Sequence, residues 1–188
     1  MQQSIWARIV RAVCVTAALT CASAASAQRA DFVAPPLAYL GHGLMCQIGP
    51  AEIVAGEDTV DGEVLRGTHG RRAFDVITAR VPARTGISFG VLVDVPAAAG
   101  YSVMTGTVLH PPMGADGRTV QTWQIEVIPG TQQYIGYGME DAFEEVTGTW
   151  VFQVWGADGL MMQHQFQMVP DGLTPDVDAV CRKGPPTS

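Results

Sequence analysis

Two runs of strict alternation, joined by four turn-forming residues, constrain this chain more than any other feature. They lie in Gly148–Val169, which reads GTWVFQVWGADGLMMQHQFQMV. In the first run Trp150, Phe152 and Val154 alternate with Val151, Gln153 and Trp155. In the second, Met162, His164, Phe166 and Met168 take one face and Gln163, Gln165 and Gln167 the other. A period of two marks a strand with one buried face, and Gly156-Ala157-Asp158-Gly159 between the runs is turn chemistry. The expectation is a hairpin, and its register can be argued. A two-residue Asp158-Gly159 loop would set Phe152 opposite Gln165 and Trp150 opposite Gln167. A three-residue loop, Ala157-Asp158-Gly159, sets Val154 opposite Met162, Phe152 opposite His164 and Trp150 opposite Phe166, with Gly159 at the left-handed position. A one-residue slip flips every side chain, so the three-residue loop is expected. A lone hairpin is not stable in water, and the rest of the chain must supply a second apolar layer.

The remaining segments read as further strands. Leu40–Ile53 is the first, broken near Gly49-Pro50. Val54–Arg72 is a long loop or frayed hairpin, and Phe74–Thr78 a short strand. Val81–Gly86 is a turn leading into the strand Ile87–Val95. Val103–Leu109 is expected to end at His110-Pro111-Pro112, since proline cannot extend a ladder. Thr119–Ile128 alternates with its Trp123 face inward, and Tyr134–Met139 follows. Glu140–Val146 is the one short helical candidate, and Asp171–Ser188 a proline-bearing tail. Seven or eight short strands with turn signals between them predict an all-β, immunoglobulin-like antiparallel β-sandwich. The Cys…Trp…Cys spacing of true immunoglobulin domains is absent, so the term names the architecture alone. The expected organisation is a targeting segment over 1–27, an N-terminal arm over 28–39, the sandwich over 40–170 and the tail over 171–188.

Residues 1–27 have the pattern of an export signal. Arg8 and Arg11 give a positive start, Ala12–Ala22 an apolar stretch too short to span a bilayer, and Ala25-Ser26-Ala27 a small-x-small cleavage site. Lipidation at Cys21 is the rival reading, but Ala18-Leu19-Thr20 is a poor lipobox. Cleavage after Ala27 would send the chain to the periplasm or outside the cell, with no membrane span left in the mature chain. The whole chain carries 11 basic and 18 acidic residues. Loss of Arg8 and Arg11 leaves nine basic against 18 acidic, a net charge of −9. Such a surface repels phosphate backbones, so nucleic acid is not an expected partner. Cys14 and Cys21 leave with the signal. Cys46 and Cys181 remain in an oxidising compartment, and two cysteines allow one intramolecular pairing.

An ordered set of motifs resembles a known bacterial family. Val81-Pro82-Ala83-Arg84-x-Gly86-x-x-Phe89-Gly90 is followed by His110-Pro111-Pro112, then Gly136-Tyr137, Phe143-Glu144 and Gly148-Thr149-Trp150-Val151-Phe152-Gln153-Val154-Trp155, closing on Phe166. Together they are similar to the family catalogued as domain of unknown function 3859, over Val81–Val169. The resemblance implies a small β domain and supplies no catalytic residues.

The chemistry visible in the sequence is sparse. No nucleophile elbow, zinc-binding helix or phosphate-cradling glycine loop is present. Neither catalytic residues, nor a metal set, nor a cofactor is therefore expected. His164 is expected on the apolar face opposite Phe152, and His110 at a strand end. Met161, Met162 and Met168 fit core packing better than a copper site. Acidic residues cluster at Glu57, Asp58, Asp61 and Glu63, and again at Glu140, Asp141, Glu144 and Glu145. Either set would offer oxygens to calcium, but neither has the spacing of a calcium loop. The combination of Tyr134, Tyr137, Glu140, Asp141, Glu144 and Glu145 is the candidate binding surface. Carboxylates give steering there and tyrosines give contact area with a polar tip. The functional expectation is a non-catalytic binding module that meets an envelope protein or ligand. The alternative is a hydrolase with a dispersed carboxylate or histidine site. A large exposed apolar patch would favour the first, and a polar cleft holding a perturbed carboxylate or histidine the second.

Overall fold

A computed structural model describes residues 31–67, 73–100 and 103–182. The export signal expected over 1–27 lies outside these residues. The described chain builds an immunoglobulin-like sandwich around the hairpin singled out above. Its strands are β10 (Gly148–Gly156) and β11 (Gly159–Pro170). Trp150 faces Phe166, Phe152 faces His164 and Val154 faces Met162, the expected register. The connection differs from the expected three-residue loop. Gly156 pairs with Gly159 across a two-residue Ala157-Asp158 turn, and the register shifts between Val154 and Trp155. A bulge at Met161 thus absorbs the odd residue, which a count from turn chemistry alone assigns to the loop.

Around the hairpin lie β1 (Phe32–Val33), β5 (Arg80–Ala83), β7 (Val103–Met113) and β8 (Arg118–Glu126). The sheet runs β1-β11-β10-β7-β8, with β5 also on β11. Every pair is antiparallel except β5–β11, which is parallel. The second sheet is β2 (Ala38–Met45), β6 (Ser88–Val95) and β9 (Thr131–Gly138), in the order β2-β6-β9. A separate hairpin joins β3 (Ala51–Ala55) to β4 (Glu63–Gly67).

The core lies between the sheets. Phe89 of β6 meets Trp150, Phe152 and Phe166 edge-on, with ring centroids 5.6, 5.5 and 5.2 Å apart. These are favoured aromatic geometries. Val91, Val93 and Val95 continue the same inward face of β6, and Val108, Met104 and Met162 complete the opposite wall.

Several expectations change. Val81-Pro82-Ala83 is not a turn but most of β5. Its proline is tolerated because β5 pairs on one side alone. His110-Pro111-Pro112 does not end β7. The prolines interrupt its ladder to β8 between Leu109 and Met113, where pairing resumes with Arg118. Phe74–Thr78 contributes a single bridge, Leu44 to Val76. The arm carries β1, laid along Gln163 and Met162. The tail holds a helix, α1 (Pro175–Cys181), whose Val177 is fully buried. Cys46, after β2, and Cys181 are joined by a disulfide, their Cα atoms 5.0 Å apart. No described helix is long and apolar enough to cross a membrane.

Candidate functional site

β8 and β9 are the outermost strands of their respective sheets. Between them opens a groove of about 180 Å³, roofed by Ile48 and the β3–β4 hairpin. β9 supplies Tyr134 and Tyr137, β8 supplies Gln121, Trp123 and Gln124, and Asp61, Glu63, Glu140 and Glu144 gather at one end. Arg66 lies in the wall too, paired with Glu126 at 3.3 Å.

The floor at the acidic end is a closed chain of hydrogen bonds. The His110 Nδ1 lies 2.8 Å from the Pro111 carbonyl, which only accepts, so Nδ1 carries the proton. Its Nε2 then accepts from Gln121 Nε2 at 3.2 Å. Gln121 Oε1 accepts from the backbone N–H of Val60 at 2.9 Å, which fixes the amide orientation. The second Gln121 N–H reaches the Tyr137 hydroxyl at 3.3 Å. That hydroxyl in turn donates to Glu144 Oε1. Glu144 Oε2 accepts the backbone N–H groups of Glu140 and Asp141 and caps the 3₁₀ turn Ala142–Glu144. Trp150 packs on both His110 and Tyr137, with centroids 5.0 and 5.2 Å away.

Burial sets the electrostatics. Glu144 is 4 % exposed. Burial raises its carboxyl above the usual carboxylate range, against the pull of hydrogen bonds from Asp141, Tyr137 and Glu140. Burial also raises Tyr137, and the adjacent Glu144 charge raises it further, so the phenol stays a donor. Glu140 is raised by burial first and then by Asp61, Asp141 and Glu63. Burial lowers His110.

Of the six candidate surface residues, Tyr134, Tyr137, Glu140 and Glu144 line the groove. Glu144 is not a solvated surface carboxylate, because its turn folds it inward onto Tyr137. Asp141 and Glu145 lie away from the groove. Asp141 caps the 3₁₀ turn, and Glu145 Oε1 accepts from Thr85 N at 2.9 Å. Sequence reasoning missed Gln121, His110 and the β3–β4 roof. Gln121 left a trace: it shares a face with Trp123, and a polar residue on an inward face needs partners.

A second polar cluster sits where β2 meets β11. His164 Nδ1 is 3.1 Å from Asp31 Oδ2, and its ring lies 4.3 Å from that of His42. His42 Nδ1 and the Tyr39 hydroxyl share a 2.5 Å hydrogen bond. Burial lowers both histidines. Among the described residues no group of three His, Cys, Asp or Glu side chains is arranged to hold a metal ion.

Comparison with known proteins adds three findings. No curated protein matches the chain. The crystal structure of an immunoglobulin-like protein from Pseudomonas aeruginosa is similar at 19% identity and a TM-score of 0.45, covering 76% of this chain and 99% of that one. A family model matches residues 61–168, a span that takes in the groove's roof strand β4 as well as the motifs from Val81 onward. The chain belongs to the family described as domain of unknown function 3859.

Proposed function

We propose that this chain is an exported, non-catalytic binding module of the bacterial envelope, and that the groove between β8 and β9 is where it binds. The observation that carries this reading is the groove itself: a concave site walled by two outermost strands, with aromatic and polar side chains converging on it. Export is supported by the basic, apolar and small-residue pattern of residues 1–27 and by the Cys46–Cys181 bond, which suits an oxidising compartment. The exposed large apolar residues, such as Ile53, Ile77 and Leu173, are spread over different elements, so the groove is the better candidate surface.

One observation favours the hydrolase alternative: Glu144 is a buried carboxylate with a raised pKa beside the groove. Its oxygens are already committed, one to Tyr137 and the other to two backbone N–H groups. That is the bonding of a structural cap.

The test is site-specific photo-crosslinking in living cells. A photoreactive residue at Gln124, exposed in the groove wall, should yield discrete adducts. The same residue at Ile77, which is 70% exposed outside the groove, should not. Equal adducts from both positions, or none from either, would refute the groove as binding site.

A further inference from the structure

The acidic end of the groove is not neutralised from within. Asp61, Glu63 and Glu140 line it together, and none forms an ion pair among the described residues. Arg66 is the one basic side chain among the described lining residues, and Glu126 holds it. Glu144 contributes no free oxygen, because all its bonds are internal. All three are exposed at the mouth of the groove, and Asp61 and Glu63 are near enough to act on the Glu140 charge. Like charges so placed repel one another, and a cation between them relieves that repulsion.

A second observation is independent of charge. Ser88, in the groove wall, is 3 % exposed, and its Oγ has no hydrogen-bond partner among the described residues. Buried hydroxyls are ordinarily paired, so this one is a donor and acceptor held ready for a group from outside. The walls add aromatic faces at Trp123, Tyr134 and Tyr137, which suit both an aliphatic stem and a cationic head. No further strand lies beyond β8 or β9, although the Asp58 carbonyl takes the Thr122 N–H of β8 at 3.2 Å, so β9 is the edge to which an extended segment can add main-chain hydrogen bonds.

Resting on the reading of the groove as a binding site, we propose that it seats a lysine or arginine side chain from an extended segment of a partner protein. The cationic head lies among Asp61, Glu63 and Glu140, and the stem runs along the aromatic wall. A metal ion fits less well. Asp61 Oδ1 already accepts from Thr59 Oγ1 at 3.2 Å and Glu63 N at 3.0 Å, while a hard cation needs six or more oxygens.

The experiment uses the exported, disulfide-bonded chain and four probes: an acetylated, amidated Thr-Val-Lys-Val-Thr peptide, its norleucine counterpart, agmatine, and calcium chloride. Binding is read from amide shifts at Glu140, Trp123 and Ser88. The lysine peptide should bind about tenfold tighter than the norleucine peptide or agmatine, and lose affinity as salt is raised. The double variant Asp61→Asn, Glu140→Gln should lose that roughly tenfold advantage while its melting temperature does not fall. Equal binding of the norleucine peptide overturns the cationic ligand. Agmatine binding as tightly as the peptide overturns a docked segment, and calcium that shifts the same amides and excludes the peptide overturns both. If no probe binds while Gln124 still crosslinks, the cation reading fails alone. If crosslinking is silent too, the groove reading falls with it.

Discussion

Tyr137 accepts from Gln121 and donates to Glu144, so its hydroxyl cannot be removed without orphaning two buried groups. Leaving buried polar atoms without partners costs about 1–3 kcal/mol, more where one is charged. Tyr137→Phe should lower the unfolding free energy by about that amount, as read by urea titration, although the phenyl ring keeps its packing on Trp150. A loss below about 0.5 kcal/mol would mean that water completes the chain instead. Glu144→Gln should also destabilise, by about 1–3 kcal/mol, because Tyr137 then faces two amide donors and its own proton is stranded. If Glu144 served catalysis instead, the amide variant would melt near the parent temperature and lose turnover. Gly90 follows a different logic. A Cβ there would meet the backbone of Ile135 and Gly136 on β9, which cannot yield as a flexible side chain does. Gly90→Ala should therefore cost about 1–3 kcal/mol or more, as overpacking does, and circular dichroism melts would show it. The Phe89-Gly90 pair was readable as a motif, but its reason was not: the close approach belongs to β9, which lies far along the chain.

At the scale of elements, what the sequence showed was set by local periodicity, and what it hid was set by pairing. β10 and β11 were legible because strict alternation over most of their length specifies both face and register. Their bulge was not, since an extra residue can sit in the loop or in the strand with the same composition. The prolines mark the other limit. Pro111 and Pro112 do break the ladder of β7, and Pro82 does avoid the middle of a sheet, yet both strands continue because their neighbours leave room. The helix α1 is seven residues long, too short for a 3.6-residue period to emerge. It is held by Val177, by the Cys46 bond, and by Arg84 and Arg182 reaching Asp171 and Asp178 at 2.8–3.2 Å. The pairs made by Arg182 and Asp171 are exposed and contribute little. Arg84–Asp178 is half-buried, and the disulfide is the one covalent tie. Cys181→Ser should raise hydrogen exchange over residues 178–182 of the helix and its cap while leaving the β10–β11 amides protected. Uniform loss of protection in both would show that the tie supports the whole sandwich.

At the scale of the molecule, the groove needed three distant segments to meet. Tyr137 and Glu144 were visible together in the sequence, but Gln121 and the β3–β4 roof reach them only through long-range sheet order. The same is true of His42, His110 and His164, which sequence treats one by one and the fold places in two clusters. They give the chain a pH dependence whose sign can be worked out. His42, His110 and His164 are all lowered, chiefly by burial. Just below the unfolded value, near 6.5, the unfolded chain therefore binds more protons than the native one. The stability they allow is complete above about pH 6.5 and drains as pH falls toward their folded values. Glu140 and Glu144 oppose this. Their raised carboxyls favour the fold below about pH 4.5, and that contribution is lost as pH rises through their folded values. Between pH 7.5 and 5.5 the histidines should prevail, because two buried rings and the half-buried His42 take up protons in that range, and the melting temperature should fall by a few degrees. His42→Gln combined with His164→Gln removes two of the three groups and should flatten that fall without touching the groove, since neither residue lines it. A slope unchanged in the double variant would place the acid sensitivity elsewhere, with His110 in the groove floor the next residue to substitute.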